Sequence, residues 1–383
     1  MKRRIFCGLL SVTLAFSALT ACERGGSCSS SSDNKVEIPA GYTKESQSGQ
    51  MFFEPELAQI YNYCPSYFYE DENTAYVYYC SNQYNRNITD YVAFRKGIKI
   101  DNEWYWSEKQ LVLGPTEKTW DSRHTCDPAV IKGEFNYNGE SYNYIMTYLG
   151  CITSDNSRNE VGLAVAKAPE GPWIKCDEIN PIAKFPEEYH TWGYGQPSIV
   201  SVDKKGRVYL FYTAGLPTKT CTMVERWDLS DLNAPKLEAR GEVPTAGWMR
   251  NDGNGTAFIS NADFAYDSAT GSFYMIADSR PFTDFNAPNF IAEKSTVACL
   301  QGNKKDVYFG EVFGKIDARW TTVFDIDYEK TGYHRNHNCC IMRDAYGWFD
   351  SSNGVEIAYT MSELNLPDQS LWTYRIYRYK YTN

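Results

Sequence analysis

Three acidic residues stand where a carboxyl group could transfer a proton. Asp127 lies in "WDSRHTCDPAV", just before a proline that opens an apolar run, and Asp263 opens a similar run in "NADFAYD". Asp252 lies in the glycine-rich stretch "MRNDGNGTAF". A pair of carboxyl groups, one protonated and one ionised, can serve as general acid and general base. The alternatives are strand capping or an ion pair for Asp127, a sheet interface for Asp263, and plain turn chemistry for Asp252.

Several polar and aromatic residues near these carboxyl groups are candidates for ligand binding. They lie in short loops ahead of apolar runs: His124, Trp192, Tyr194, Gln196, Arg335 and His337. The loop "EEYHTWGYGQP" is rich in aromatic rings, and such rings stack on the apolar faces of pyranose sugars. The alternatives are packing of these rings in the core and, for His337, a core histidine satisfied by the backbone.

Five segments of the sequence repeat a strand, turn, strand pattern. Three open with a proline, at positions 65, 128 and 197, and two more align near residues 264 and 340. Helix-type apolar spacing is scarce, and Gly, Asn, Asp and Pro recur between the runs. Further strand candidates separate the segments, and four strands per repeat is typical of a propeller blade. The sequence therefore predicts an all-β fold, a five-bladed β-propeller over residues 41–383. A two-sheet sandwich is the alternative, but it gives no reason for five matched hairpins.

The propeller also needs a closed ring of blades. Residues 42–55 precede the first repeat without belonging to it. A strand from this segment that completes the fifth blade would hide the edges of an open sheet. We therefore expect residues 42–55 to contact residues 336–381.

Cysteines flank two of the predicted hairpins. The acidic turn of the first hairpin sets Cys64 opposite Cys80, and the Asn-Gly turn of the second sets Cys126 opposite Cys151. Disulfides persist in exported proteins. We therefore expect the pairs Cys64–Cys80 and Cys126–Cys151, provided that no β-bulge breaks either register.

The N-terminus has the pattern of a bacterial lipoprotein signal. A basic start precedes an apolar run of signal-peptide length, and "LTAC" ends at Cys22 like a lipobox. We expect a signal peptide over residues 1–21, lipidation of Cys22, and a flexible Ser/Gly-rich tether over residues 22–40. The lipid would anchor the chain in the bacterial cell envelope, in the periplasm or at the outer membrane. An ordinary secretory signal is the alternative.

Composition narrows the choice of partners. The formal net charge is −10, and no Lys/Arg-rich patch interrupts it, so a nucleic-acid backbone should be repelled. Aromatic residues make up 15% of the chain, which suits both β-structure and sugar stacking. We expect a carbohydrate partner, membrane attachment through the lipid, no nucleic acid, and a monomer.

The repeats resemble the five-bladed propeller glycosidases, in particular glycoside hydrolase family 43 and its relatives. The likeness is carried by "DPAVI", "QPSIV", "VGLAVAKAPEGPW" and "NHNCCIM", and it spans most of residues 60–380. The resemblance implies an axial funnel in which carboxylates from blades one, three and four hydrolyse a glycoside. An inverting mechanism needs one protonated and one ionised carboxyl group, roughly 6.5 to 9.5 Å apart, with water between them.

This sequence departs from the family pattern at the positions that matter most. The blade-one position is Cys64 and the blade-three position is Gln196, while blade two supplies Asp127 and blade four Asp263 or Asp252. A disulfide-bonded cysteine cannot serve as a base, and glutamine has no titratable proton. The resemblance also places His337 where relatives keep a histidine near a buried water or calcium, so it implies either a water or a structural calcium near His337.

Two functions are compatible with this pattern, and a third needs no ligand. The first is a glycoside hydrolase that uses Asp127 with Asp263 or Asp252. The second is a catalytically inactive glycan-binding surface lipoprotein. The third is a propeller that serves as a protein-interaction scaffold. Two funnel carboxylates at a suitable separation favour the enzyme, and an aromatic funnel with one or none favours the binder.

Overall fold

The computed structural model describes residues 37–52, 59–83, 87–250, 253–279, 291–300, 318–362 and 370–382. The predicted signal peptide, Cys22 and most of the predicted tether lie outside these residues, as does Asp252. Helical structure in the described part is confined to the turn Tyr328–Thr331 and the 3-10 turns Ser351–Asn353 and Ser370–Thr373. No described helix is long and apolar enough to cross a bilayer.

The strands form five sheets, which are the blades of a five-bladed propeller, as predicted. Blade one contains β1 (Thr43–Lys44), β2 (Asn62–Tyr69), β3 (Thr74–Ser81), β4 (Tyr91–Ile100), β5 (Glu103–Trp106) and β6 (Gln110–Leu113). Blade two contains β7 (His124–Tyr137), β8 (Glu140–Cys151), β9 (Glu160–Ala166) and β10 (Ile174–Lys175). Blade three contains β11 (Gly193–Ser201), β12 (Arg207–Gly215), β13 (Thr220–Asp228) and β14 (Lys236–Glu242). Blade four contains β15 (Ala262–Asp267), β16 (Ser272–Asp278), β17 (Ser295–Leu300) and β18 (Trp320–Ile326). Blade five contains β19 (Arg335–Ile341), β22 (Val355–Ser362) and β23 (Arg375–Tyr381), and the short strands β20 (Arg343–Asp344) and β21 (Trp348–Phe349) leave it for other blades.

Apolar cores fill the interfaces between adjacent blades. Phe211 of blade three stacks on Phe264 of blade four with ring centroids 4.0 Å apart, and Phe68 of blade one stacks on Tyr144 of blade two at 6.3 Å. Each sheet is covered on both faces, so its strands carry nearly continuous apolar runs. Five separate clusters occupy the five interfaces, whereas a sandwich of two sheets would have one.

The first strand of each blade lies at the axis and begins with an unusual backbone conformation. In each first strand, or directly before it, one residue other than glycine has a left-handed φ: Cys64 (50°), Asp127 (48°), Gln196 (51°), Asn261 (51°) and Asn338 (45°). In four blades this residue lies inside a β-bulge of the first hairpin, and in blade four it directly precedes β15. We call these five residues the axial ring.

The bulges correct the predicted disulfide of blade two. The turn pairs Tyr137 with Glu140 as expected, but two bulges in β7 then shift the register by two residues. As a result Cys151 faces His124, and Cys126 faces Leu149. The two cysteines are free thiols and do not pair with each other.

The bulge in blade one has a similar effect. Cys64 occupies the bulge itself, so Tyr63 is the residue that faces Cys80 across the hairpin. Both cysteines are free thiols, and so are all the other cysteines in the described part of the chain. The structure therefore does not contain the predicted Cys64–Cys80 disulfide either.

One segment of blade five, residues 343–349, contacts the first strands of the four other blades. Its strands β20 and β21 pair in parallel with β2 of blade one and β15 of blade four. Between these two strands, the carbonyl of Ala345 accepts a hydrogen bond from the backbone N–H of Lys132 in blade two at 2.6 Å. The carbonyl of Tyr346 accepts one from the backbone N–H of Ser201 in blade three at 2.9 Å. We call this segment the axial plug, because it joins all five blades.

The N-terminal segment closes the ring. Gln50 forms an antiparallel bridge with Tyr377 of β23, and Met51 donates its N–H to the carbonyl of Ile376 at 3.1 Å. The expected contact between residues 42–55 and blade five is therefore confirmed. The segment also reaches blade one, where β1 pairs with β5. It thus links the first and last blades.

A buried ion pair fixes the axial plug to blade four. Arg343 donates to Asp263 Oδ1 at 2.9 Å, and the arginine side chain is 2% exposed. Asp263 also accepts hydrogen bonds from Ser198 Oγ at 2.7 Å and from the Ile341 N–H at 2.9 Å. Blades three, four and five thus meet at one carboxylate.

We predict that Arg343→Met lowers the free energy of unfolding by about 3 to 5 kcal/mol, because it leaves the Asp263 carboxylate buried and unpaired. Urea denaturation measures the change. The exposed pair Lys167–Glu140 provides the control variant Lys167→Met, which should leave the urea midpoint in place. A double variant, Asp263→Asn with Arg343→Met, should recover part of the loss. A single variant as stable as the wild type would contradict the assigned role of the pair.

Candidate functional site

A cavity of about 810 Å³ opens on the axis at the axial ring. Four ring residues line it, and the fifth, Cys64, lines a much smaller pocket that shares Gln196, Asn261 and Asn338 with the cavity. The predicted site residues among its lining are His124, Asp127, Trp192, Gln196 and His337. The cavity is the funnel that the sequence implied, and it holds most of the predicted residues.

Hydrogen bonds connect the members of the axial ring. Gln196 Oε1 accepts the N–H of Asn261 at 2.9 Å, and Asn261 Oδ1 accepts from the Asn338 side chain at 2.9 Å. The Thr360 hydroxyl joins two further members, because it accepts the Cys64 N–H and donates to the Asn338 carbonyl, both at 3.3 Å. These hydrogen bonds therefore hold the ring residues that line the cavity in fixed positions.

Asp127 is the carboxylate of the ring, and it is buried. Its N–H donates to Cys80 Sγ at 2.8 Å, and the Cys80 thiol donates back to Oδ1 at 3.4 Å. Burial raises the pKa of Asp127 to about 6, although hydrogen bonds from Cys64, Cys80 and the Gln196 N–H act against this. The negative charge of Asp90 adds to the rise. Asp127 thus holds a proton to higher pH than an ordinary aspartate.

Two further carboxylates line the cavity, Asp155 and Asp90, and Asp90 forms a pair with His124. Asp90 Oδ2 lies 2.8 Å from His124 Nδ1. The Asp90 N–H also points at Nδ1, at 3.2 Å, but one nitrogen cannot donate to the first group and accept from the second. The shorter contact and the stronger acceptor assign the proton to Nδ1. Nε2 is then the basic nitrogen, and among the described residues nothing hydrogen-bonds to it.

His337, on the first strand of blade five, lines the cavity but is buried, with 1% of its surface exposed. Its Nδ1 contacts Asn338 Oδ1 at 2.6 Å, and its Nε2 is buried without a partner in the described part of the chain. Burial lowers the pKa of His337 to about 4, and the nearby Arg335 charge acts in the same direction. Calcium takes six to eight oxygen ligands, and the described contacts of His337 provide no such cage. The calcium implied by the family resemblance therefore finds no support in these contacts.

Three other predicted residues, Tyr194, Arg335 and Asp263, are not among those that line the cavity. Tyr194 packs against Phe185 and Tyr212, which is the core role considered as its alternative. Arg335 is buried 3.7 Å from Glu293. Asp263 is not part of the cavity lining, because its oxygens face Arg343 and the strands of blades three and five.

Sequence reasoning missed Asp90 and an aromatic wall. Asp90 directly precedes β4, and its partner His124 begins β7 in the next blade. No spacing in the sequence shows this contact, since it arises only when two blades meet. On the wall, Tyr63 and Tyr374 pack edge to face with centroids 5.9 Å apart, and Tyr374 also faces His337 at 4.7 Å. With Trp192 they offer aromatic surface to a ligand.

No protein-family model and no curated protein matches the chain. Solved structures do match it. A family 117 glycoside hydrolase from the marine bacterium Zobellia galactanivorans has a TM-score of 0.54 at 14% identity, over 88% of this chain and 89% of that one. An alpha-L-arabinofuranosidase from Lactobacillus brevis has a TM-score of 0.53 at 9% identity, over 86% and 93%. A GH43 beta-xylosidase/alpha-arabinofuranosidase from a compost microbial metagenome has a TM-score of 0.51 at 13% identity, over 86% and 94%. At these identities the shared property is the fold, which is that of the propeller glycosidases.

The raised pKa of Asp127 predicts a pH-dependent cost of burial. In the folded chain Asp127 keeps its proton up to about pH 6, whereas in the unfolded chain it loses the proton near pH 4. The contribution of Asp127 to the free energy of unfolding is therefore greatest below about pH 4 and is lost as the pH rises through 6. Asp127→Asn removes this dependence. The variant should gain up to about 3 kcal/mol on the wild type between about pH 4 and pH 8.

Urea denaturation of both proteins across this range measures the difference, and Asp71→Asn, in the exposed turn of blade one, is the control. A difference between Asp127→Asn and wild type that stays constant with pH would contradict the prediction.

Proposed function

We propose that the chain is an exported glycosidase that binds a glycan in the axial cavity and hydrolyses one of its glycosidic bonds. The observation that carries the proposal is the position of Asp127, a buried carboxylate in the wall of a cavity that the Asp90–His124 pair also lines. The glycosidase-like fold is consistent with it. Fold alone does not determine activity, so the proposal rests on the side chains of the cavity.

The two groups have environments suited to different tasks. Asp127 is surrounded by thiols and one backbone N–H and keeps its proton up to about pH 6, higher than an ordinary aspartate, so it is placed to act as the acid. The carboxylate of Asp90 holds the Nδ1 proton of His124, so Nε2 is placed to act as the base. Water would attack the anomeric carbon as the bond to the leaving oxygen breaks. Asp127 would give its proton to that oxygen, and His124 Nε2 would take a proton from the water.

This assignment changes the partner that the sequence suggested for Asp127. Both oxygens of Asp263 are occupied by donors, including the Arg343 guanidinium, and the residue lies outside the cavity lining. A carboxylate held in this way has no free oxygen for water or sugar. The Asp90–His124 pair is on the wall itself, which favours it as the second group.

The aromatic wall suits the apolar faces of a sugar. Tyr63, Tyr374 and Trp192 line the cavity, and Gln196 and Asn261 add amide groups for sugar hydroxyls. The volume of about 810 Å³ lies within the range of sites for small ligands, roughly 300 to 1,000 Å³. An oligosaccharide end or a short segment of a chain is therefore the proposed ligand.

One observation favours the second candidate, a catalytically inactive glycan binder. Of the five axial-ring residues only Asp127 has a carboxylate, and the other four are one cysteine and three amides. Amides and aromatic rings bind sugars without cleaving them. Turnover is the measurement that separates the two candidates.

We predict that Asp127→Asn reduces turnover by about 100- to 10,000-fold and leaves glycan binding intact, because the amide keeps the shape and loses the proton. The measurement is release of reducing ends across a broad glycan panel, with calorimetry for binding. Asp90→Asn should also lower turnover, and the exposed Asp71→Asn should not. Turnover of Asp127→Asn within a few-fold of wild type would refute its role. Binding without turnover in the wild type would support the inactive binder.

We further propose that Cys22 is lipidated and holds the protein in the bacterial cell envelope. The basis is the basic start, the apolar run and "LTAC" in the sequence. Cys22→Ala should move the protein from the membrane fraction to the soluble fraction of expressing cells, as measured by fractionation and blotting. A variant that stays with the membrane as firmly as wild type would contradict the lipid anchor.

A further inference from the structure

Two thiols and one carboxylate lie close together at the wall of the cavity, where Asp127 is part of the lining. The Sγ atoms of Cys64 and Cys80 and a carboxylate oxygen of Asp127 all lie within 4.8 Å of one another. The three residues come from two blades and three strands, since Cys64 is on β2, Cys80 on β3 and Asp127 on β7. No pattern in the sequence brings them together, and the proposed hydrolysis uses only one of them.

The local backbone is what aims these groups at a common point. Cys64 and Asp127 are both axial-ring residues with left-handed φ, and each occupies a bulge that turns its side chain away from ordinary strand alternation. The Asp127 N–H donates to Cys80 Sγ at 2.8 Å. Such an N–H···S contact orients the sulfur, as hydrogen bonds from surrounding groups orient the ligands of metal ions. Cys126 lies beside Cys80 and provides a third sulfur at the edge of the cluster.

We propose that Cys64, Cys80 and Asp127 bind a thiophilic metal ion of the Zn²⁺ class, with a fourth coordination position toward the cavity. Two thiolates and one carboxylate are a donor set that selects Zn²⁺ over Ca²⁺ or Mg²⁺, which prefer oxygen alone. Zinc is usually tetrahedral, and a site with three protein ligands leaves room for water, a substrate group or the neighbouring Cys126 sulfur. Asp127 and Cys126 line the cavity, so the open position would be reachable from there.

The metal site does not depend on the proposed hydrolysis being correct. If the hydrolysis is correct, however, a bound metal ion would inhibit it. Zn²⁺ would displace the thiol protons of Cys64 and Cys80 and any proton on Asp127. A carboxylate bound to a metal cannot donate a proton to a leaving group. If Asp127 is the acid, as proposed above, then zinc should inhibit turnover, and a chelator should restore it. This inhibition rests on the proposed function, whereas metal binding does not.

The test is metal binding by the full-length chain, purified under reducing conditions and stripped with a chelator. Zn²⁺ is titrated by calorimetry, and Co²⁺ is used as a spectroscopic substitute. We expect one ion per chain, with a thiolate-to-cobalt charge-transfer band and visible bands of tetrahedral Co²⁺. Cys64→Ser and Cys80→Ser should each weaken binding by more than about 100-fold, since even outer contacts are worth 10- to 100-fold.

A matched control is Cys299→Ser, which removes a thiol of blade four far from the cluster and should leave binding unchanged. Circular dichroism shows whether each variant folds. Asp127→Asn keeps both thiols, so it should weaken metal binding while the charge-transfer band remains. This variant still tests the proposal if a cysteine variant does not fold.

Three results would overturn the proposal: no binding of Zn²⁺ or Co²⁺, a cobalt complex without a thiolate band, or a Cys64–Cys80 disulfide in protein taken from the cell envelope. Absence of any glycosidase turnover, together with an intact cobalt spectrum, would reject the proposed hydrolysis and support the metal site.

Discussion

The structure depends on five residues that leave ordinary strand geometry at the propeller axis. The residues of the axial ring, Cys64, Asp127, Gln196, Asn261 and Asn338, all have a left-handed φ. A non-glycine residue in this conformation costs of order 1 kcal/mol or more, and the cost arises five times. Hydrogen bonds to the adjacent blade oppose this cost: Asn261 donates to Gln196, Asn338 donates to Asn261, and the Cys64 N–H donates to Thr360. The strain is thus coupled to the closure of the ring.

The same constraint separates the two ends of the axis. At the ring end, the polar side chains of four ring residues line the cavity, so the groups that could contact a ligand lie there. At the other end, the axial plug pairs with the first strands of the other blades, and the buried Asp263–Arg343 pair fixes it in place. An aspartate in a first strand can therefore either line the cavity or pair with the axial plug. Asp263 serves the plug and Asp127 the cavity, and the difference is a shift of two residues relative to the ring.

The repeated hairpins were sufficient to predict the fold, since the prolines at 65, 128 and 197 each follow a ring residue. Blades four and five lack that proline, and the sequence placed their repeats near 264 and 340, slightly past Asn261 and Asn338. The disulfide predictions failed because bulges change strand register without a signature in the residue types. Asp90 and His124 were out of reach for a different reason: they meet across a blade interface, which local patterns do not describe.

A cysteine in place of an axial carboxylate changes what the ring can bind. A carboxylate beside Asp127 would repel it and would be a hard ligand, suited to protons and oxygen-bound cations. A thiol beside it is neutral until a metal arrives, and it then becomes a soft ligand. The surroundings of Asp127, with Cys64 and Cys80 in contact, are thus compatible with two occupants, a proton or a thiophilic metal ion. Since both would occupy the same carboxylate, the proposed proton transfer and the proposed metal binding would exclude each other at any moment, and the concentration of free metal would decide between them.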